Sequence, residues 1–199
     1  MSAEQPFRWI LAVILVVAIS ISGYYRKRAR ETGGTIARRQ ESGRLITLRL
    51  AFGLPLLLSL MAFLLRPGLI GWAKVPLPLW VRWGGAALGV TCIVLVVWVM
   101  RSIGANVSET VLTKEAHELV THGPYRWVRH PLYAVGLLLL LSAALMASSW
   151  LIGALTAVAG IAIRTIVIPV EETALIEKFG DRYREYMGRT GRLIPPLRE

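Results

Sequence analysis

Long apolar runs alternate with short polar stretches along the whole chain. The runs are "FRWILAVILVVAISISGYY" at 7–25, "LITLRLAFGLPLLLSLMAFLL" at 45–65, "LWVRWGGAALGVTCIVLVVWVM" at 79–100, "PLYAVGLLLLLSAALMASSW" at 131–150 and "LIGALTAVAGIAIRTIVI" at 151–168. Roughly 20 mostly apolar residues are enough to cross a bilayer as a helix. A helix satisfies its own backbone polar groups, which lipid cannot do. The pattern therefore predicts an all-α integral membrane protein with about five transmembrane helices. Residues 131–168 fold back as a helical hairpin around Ser148, Ser149 and Trp150. The first run does not read as a cleaved signal peptide, because Tyr24, Tyr25 and a basic stretch follow it in place of a small-residue cleavage site.

After residue 168 the pattern changes. In "EETALIEKFGDRYREYMGR", Leu175, Ile176, Phe179, Tyr183 and Tyr186 recur at spacings of three and four, which predicts an amphipathic C-terminal helix. Gly180 is its weak point, and Pro195 and Pro196 end it. The chain divides into a three-span scaffold (1–100) and a second part made of a polar loop (101–130), the hairpin (131–168) and the tail (169–199). These form one domain overall.

The formal net charge of +11 suggests nucleic acid, but its distribution points to the membrane. Loop 24–44 holds seven basic residues against Glu31 and Glu41, while loop 66–78 holds only Arg66 and Lys74. Basic short loops stay cytoplasmic. The expected orientation has the N-terminus outside and the loop 101–130 and the C-terminus inside. The excess charge then serves topology and attraction to anionic membrane lipids, with no nucleic-acid partner. The single Cys92 cannot form an intrachain disulfide. Three histidines with no thiol in the polar loop do not make a metal site.

A tight hairpin places its two polar flanks, 101–130 and 169–199, side by side. Pro131 suits the first turn of a helix, and the helix N-terminus behind it can take an anion. Arg129 and His130 add charge or donors there, and Tyr125, Trp127 and Tyr133 add aromatic faces. The same residue types also gather at bilayer interfaces, where Arg snorkels. Glu171 and Glu172 lie about 100° apart on a helix, so one can face a pocket; a helix-start charge is the other reading. Arg164, near the cytoplasmic end of the fifth run, is a functional candidate by its position in the membrane. Snorkelling is the alternative for Arg164, as for Arg49 and Arg82. None of the five runs contains Asp or Glu, which argues against an ion-coupled transporter.

"ELVTHGPYRWVRHPLY", then a hydrophobic hairpin, then "EETALIEKFGDRYREY" and "RLIPP" together resemble the isoprenylcysteine carboxyl methyltransferase family and the wider set of membrane phospholipid methyltransferases. The resemblance spans about residues 104–197. It implies S-adenosylmethionine as methyl donor, no metal, and a lipidic acceptor arriving laterally from the bilayer. It assigns cofactor contacts to His117, Glu118, Leu119, Val120, Tyr125, His130, Pro131, Leu132, Tyr133 and Glu171. Arg164, Glu171 and Glu172 are the candidate catalytic residues. Family members that methylate a prenylcysteine carboxylate carry an arginine where this chain has Val167; Arg164 lies one turn earlier on roughly the same face. The resemblance leaves open a carboxylate, an amine or a thiol as acceptor, and the short scaffold fits a prokaryotic inner-membrane version. A non-catalytic scaffold is disfavoured, since both the loop and the glutamate pair are retained.

Overall fold

The computed structural model describes residues 4–33, 43–104 and 119–196. Its helices are α1 (Gln5–Gly33), α2 (Gly43–Leu65), α3 (Leu79–Ile103), α4 (Pro131–Ala147), α5 (Trp150–Ala162), α6 (Ile168–Phe179) and α7 (Asp181–Arg189). A 3-10 turn follows α2 at Pro67–Ala73, and another, Gly123–Arg126, precedes α4.

Among the described residues, three helical stretches are long and apolar enough to cross a membrane: Gln5–Ala29, Leu79–Ile103 and Trp150–Phe179. A fourth candidate is Leu50–Leu65 with Pro67–Ala73, bent by 118° at Arg66. The expected fourth span, α4, has only 17 residues, about 25 Å of rise against a hydrocarbon core of about 30 Å. Five spans is thus an upper reading. The chain leaves α4 at Ser148, which takes a left-handed conformation (φ 49), and Ser149 caps α5 by accepting from Ile152 N.

The fifth span does not end at Ile168. It continues through a π-helical turn, Ile163–Val167, into α6. Pro169 supplies a physical reason, because it has no N–H for the ladder and its ring crowds the carbonyl one turn back; a widened turn relieves both. Glu171 and Glu172 therefore sit inside one continuous helical stretch, not at the start of a separate tail helix. The tail helix itself is interrupted where its weak point was expected: Gly180 (φ 57) separates α6 from α7.

The core is built by close approach of small residues. Phe7, Leu11 and Ile14 of α1 pack with Leu56, Leu60 and Phe63 of α2 and with Ala143, Ala144 and Ala147 of α4. At Gly85 of α3 a Cβ would lie 2.7 Å from Leu145 Cβ of α4, so this pair packs backbone to backbone, as small residues allow in membranes. A second cluster, with Cys92, Val96, Val99, Met100, Tyr125 and Val135, supports the polar loop from below. On the outside, Trp9, Val13, Val16 and Ile19 of α1, Val90 and Val94 of α3, and Val158 and Ile161 of α5 are exposed. Apolar faces this extensive need a bilayer to cover them.

Arg82 does not snorkel. It is buried and donates Nε and Nη2 to the Met146 carbonyl at 3.0 and 2.7 Å. Nη2 also reaches Glu4 Oε2 at 2.6 Å, and the guanidinium lies 4.0 Å over the Phe7 ring. Arg8 makes the matching contact at the end of α2, donating Nε to the Leu64 carbonyl at 2.9 Å. Two helix C-termini thus have cations on their last carbonyls, where the dipole favours positive charge. The side chain of Arg49 lies outside the described residues.

Candidate functional site

The loop before α4 and the tail after α7 are stitched together by backbone. Arg129 N donates to Gly191 O at 2.8 Å, His130 N to Arg192 O at 3.0 Å, and Gly191 N to Trp127 O at 3.0 Å. Gly191 is required by its turn, since a Cβ there would run into the Ile194 carbonyl. The Tyr186 hydroxyl of α7 donates to the Tyr125 carbonyl at 2.6 Å. The hairpin has brought its flanks together, as its sequence implied.

Between these pieces lies an open cleft of about 530 Å³ counting its mouth. Leu119, Val120, Tyr125 and His130 line it from the loop side. Glu171, Leu175 and Phe179 line it from α6, and Tyr183 and Tyr186 from α7. Of the residues singled out in the sequence, Leu119, Val120, Tyr125, His130 and Glu171 meet here. Pro131 and Leu132 begin α4 behind the cleft; Pro131 is buried at the first helical position, and Leu132 packs on the apolar cluster below. Tyr133 stacks on His130, with ring centroids 5.9 Å apart. No side chain caps the N-terminus of α4. His117 and Glu118 lie outside the described residues. Arg164 is exposed on the π turn and is not among the residues lining the cleft.

The two glutamates behave differently. Glu172 is buried and spent on arginines. Its Oε1 accepts from Arg129 Nε at 2.8 Å; its Oε2 accepts from Arg192 Nε at 3.1 Å, with Arg192 Nη2 at 3.0 Å. Arg129 is in turn held by the Met187 carbonyl at 3.1 Å and by the Thr190 carbonyl. Glu171 is half-buried, and its Oε2 stands 3.5 Å from His130 Nδ1. That is ion-pair range but too long for a good hydrogen bond. His130 Nε2 is 3.6 Å from Glu172 Oε1. Within the cleft wall, His130 Nε2, Glu171 Oε2 and Tyr183 Oη are buried with no hydrogen-bond partner. Buried polar groups are rarely left so, and three around one cleft mark where a polar ligand would be satisfied.

Electrostatics favours a cation at His130. Burial alone depresses its pKa, but Glu171 and Glu172 overcome that and raise it above the ordinary 6.5. Burial, with Arg129 and Arg189 working against it, pushes Tyr186 up to about 12. Burial and the nearby Glu171 also push Tyr125 well above the usual phenol range. The phenols around the cleft are therefore donors, not bases.

Arg192, which opens the "RLIPP" stretch, and Thr190 shape this site without having been singled out in the sequence as site residues; the partner of a tail arginine is set by tertiary contact. Arg129, expected to present charge to a ligand, gives it to Glu172. Among the described residues no group of three His, Cys, Asp or Glu could hold a metal ion.

Residues 80–182 match the phospholipid methyltransferase family. The chain is 25% identical over 174 residues to YpbQ, an uncharacterized protein of Bacillus subtilis (strain 168), covering 85% of this chain and 96% of that one. It is 39% identical over 74 residues to a methanethiol S-methyltransferase of Pseudomonas deceptionensis, covering 37% of this chain and 27% of that protein. In fold it is similar to a eukaryotic intramembrane Ras methyltransferase, isoprenylcysteine carboxyl methyltransferase, with a TM-score of 0.55 and 20% identity over 94% of this chain and 67% of that one. With its bilayer-facing apolar helices and the match over its α3–α7 half, the chain belongs to the phospholipid methyltransferase family and is an integral membrane methyltransferase.

Proposed function

We propose that the chain transfers a methyl group from S-adenosylmethionine, bound in the cleft between loop and tail, to a lipid-soluble acceptor. The observation that carries this reading is the pair of buried atoms left without a hydrogen bond, His130 Nε2 and Glu171 Oε2, in one cleft wall. The residues present suit this cofactor. Glu171 can accept from an ammonium or a ribose hydroxyl, a protonated His130 and the uncapped start of α4 can take a carboxylate, and Tyr125 offers an aromatic neighbour for a cation. S-adenosylmethionine supplies an electrophilic methyl group on a sulfonium. The chain contributes position and a site screened from water. Glu172, with both oxygens held by arginines, acts as a structural anchor. Glu171 and His130 are the groups available to hold or accept a proton.

For the acceptor we propose a prenylcysteine-type carboxylate, with Arg164 as its cationic partner and a carboxylate needing no general base. What supports it is the fold likeness and the exposed place of Arg164 on the π turn that leads into the helix carrying Glu171. A second reading, a hydrophobic thiol, is favoured by the 39% identical stretch shared with a methanethiol S-methyltransferase. The basic loops support a cytoplasmic cleft with the N-terminus outside, and the short scaffold fits a prokaryotic inner membrane. The test is equilibrium binding of labelled S-adenosylmethionine to purified protein, followed by methyl transfer to a prenylcysteine acid, an ethanolamine lipid and a hydrophobic thiol. Micromolar binding and transfer to at least one of them are expected. Failure to bind the donor would sink the reading.

A further inference from the structure

We propose that Arg192, a tail residue outside the family-matched segment, is a positioning residue that keeps His130 available to the ligand by saturating Glu172. The inference rests on the cleft being the ligand site. His130 stands between two carboxylates, with Nδ1 3.5 Å from Glu171 Oε2 and Nε2 3.6 Å from Glu172 Oε1. A buried carboxylate demands a partner. Glu172 is 4% exposed at its side chain, and each of its oxygens has its own arginine: Arg129 on Oε1, Arg192 on Oε2. Arg129 has no spare capacity at Nη1, which is committed to the Met187 and Thr190 carbonyls. Without Arg192, half of the Glu172 charge is unmatched, and the nearest group able to answer it is the His130 ring. The imidazole would then be drawn onto Glu172 and lost to the cleft. Arg192 also fixes the His130 backbone, because its carbonyl accepts from His130 N at 3.0 Å. The charged groups around His130 are Glu171 and Glu172 from α6, Arg129 from its own loop and, through Glu172, Arg192 from the tail. Tyr183 of α7 adds a neutral phenol.

The experiment uses full-length protein in detergent with labelled histidine, so that His130 is followed by NMR among only three histidines, alongside binding of S-adenosylhomocysteine. Arg192→Gln is expected to raise the His130 titration midpoint and weaken binding about tenfold. Arg192→Lys, which keeps the charge but loses the two-pronged contact, should bring the midpoint back towards wild type and recover binding in part. In a Glu172→Gln background, Arg192→Gln should no longer move the midpoint, because the coupling runs through that carboxylate. A residue with only a stabilising role would lower Tm and leave the midpoint alone. An unmoved midpoint with unchanged affinity in Arg192→Gln overturns the proposal. If that variant does not fold, a midpoint that differs between Glu172→Gln and Arg192→Gln,Glu172→Gln overturns it, because the effect of Arg192 would then not run through Glu172. A shifted midpoint in a protein whose wild type binds no S-adenosylhomocysteine would keep the positioning role and remove the cofactor reading.

Discussion

Glu171 and Glu172 are neighbours in sequence with opposite surroundings: Glu172 is locked between Arg129 and Arg192, while Glu171 Oε2 has no hydrogen-bond partner and lies 3.5 Å from His130 Nδ1. Their offset on one helix turns one carboxylate into the loop–tail junction and the other into the cleft wall. The two should therefore fail differently when neutralised. Glu172→Gln leaves the buried Arg129 and the partly exposed Arg192 short of an anion and is expected to cost about 3 kcal/mol of stability. Glu171→Gln should leave stability within about 0.5 kcal/mol of wild type but weaken S-adenosylmethionine binding about tenfold. Thermal melts and donor titrations on the two variants check this. Equal loss of Tm in both would remove the division of labour.

The pH dependence follows from His130. Its folded pKa is raised above the ordinary 6.5 by the two glutamates acting against burial. A group whose pKa is raised on folding contributes stability that is fully present below its unfolded value and is lost as pH rises through the folded one. Stability should thus fall as pH is taken upward from about 6.5, and His130→Asn should flatten that decline. The check is Tm against pH for both proteins. A wild-type curve that rises through the same window would contradict a cationic His130.

Much of this fold was readable from hydropathy, and the reasons for the remainder are physical. The apolar runs marked the helices, because bilayer thickness fixes their length. Ser148 and Ser149 marked the hairpin, and Gly180 marked the break between α6 and α7. What period and length could not reveal were the choices made by tertiary contact. Arg82 looked like any interfacial arginine until the C-terminus of α4 came to rest beside it. Arg129 looked like a ligand group until Glu172 claimed it. The π turn depends on how Pro169 is accommodated, and hydropathy does not register it. For the candidate site, the meeting of loop and tail followed from the hairpin, whereas the pairing of Arg192 with Glu172 had no local signature.

Arg82 yields a stability prediction at the other end of the molecule. It is the shared partner of the Met146 carbonyl and of Glu4, which also pairs with Lys74. Arg82→Ala strands a helix C-terminus and a half-buried carboxylate together, so a loss of about 3 kcal/mol is expected. Arg82→Lys should recover only part of it, because one ammonium cannot reproduce the fork over both acceptors. Donor affinity, read at a temperature where each variant is folded, should stay at the wild-type value, since none of these groups lines the cleft. A fall in affinity at full folding would show that the two ends are coupled.

The proposed acceptor is tested at Arg164. This residue is exposed on the π turn, one turn before Val167, the position where the family resemblance implies an arginine for a carboxylate acceptor. A planar guanidinium grips a carboxylate through two parallel hydrogen bonds, which a lysine ammonium cannot do. If the acceptor is a prenylcysteine-type acid, Arg164→Lys is expected to lower its turnover about tenfold with donor binding unchanged. A residue that merely reaches the head groups would be replaced by lysine without effect, because both long side chains snorkel. A neutral thiol asks for no cation and would be turned over equally by both proteins, with Glu171 receiving its proton. Methyl transfer from labelled donor to the acid, the amine and the thiol, measured side by side in wild type and Arg164→Lys, separates the readings. Loss confined to the acid supports carboxylate methylation. Transfer to the thiol alone, with Arg164→Lys fully active, replaces it with S-methylation and leaves the cofactor cleft as described.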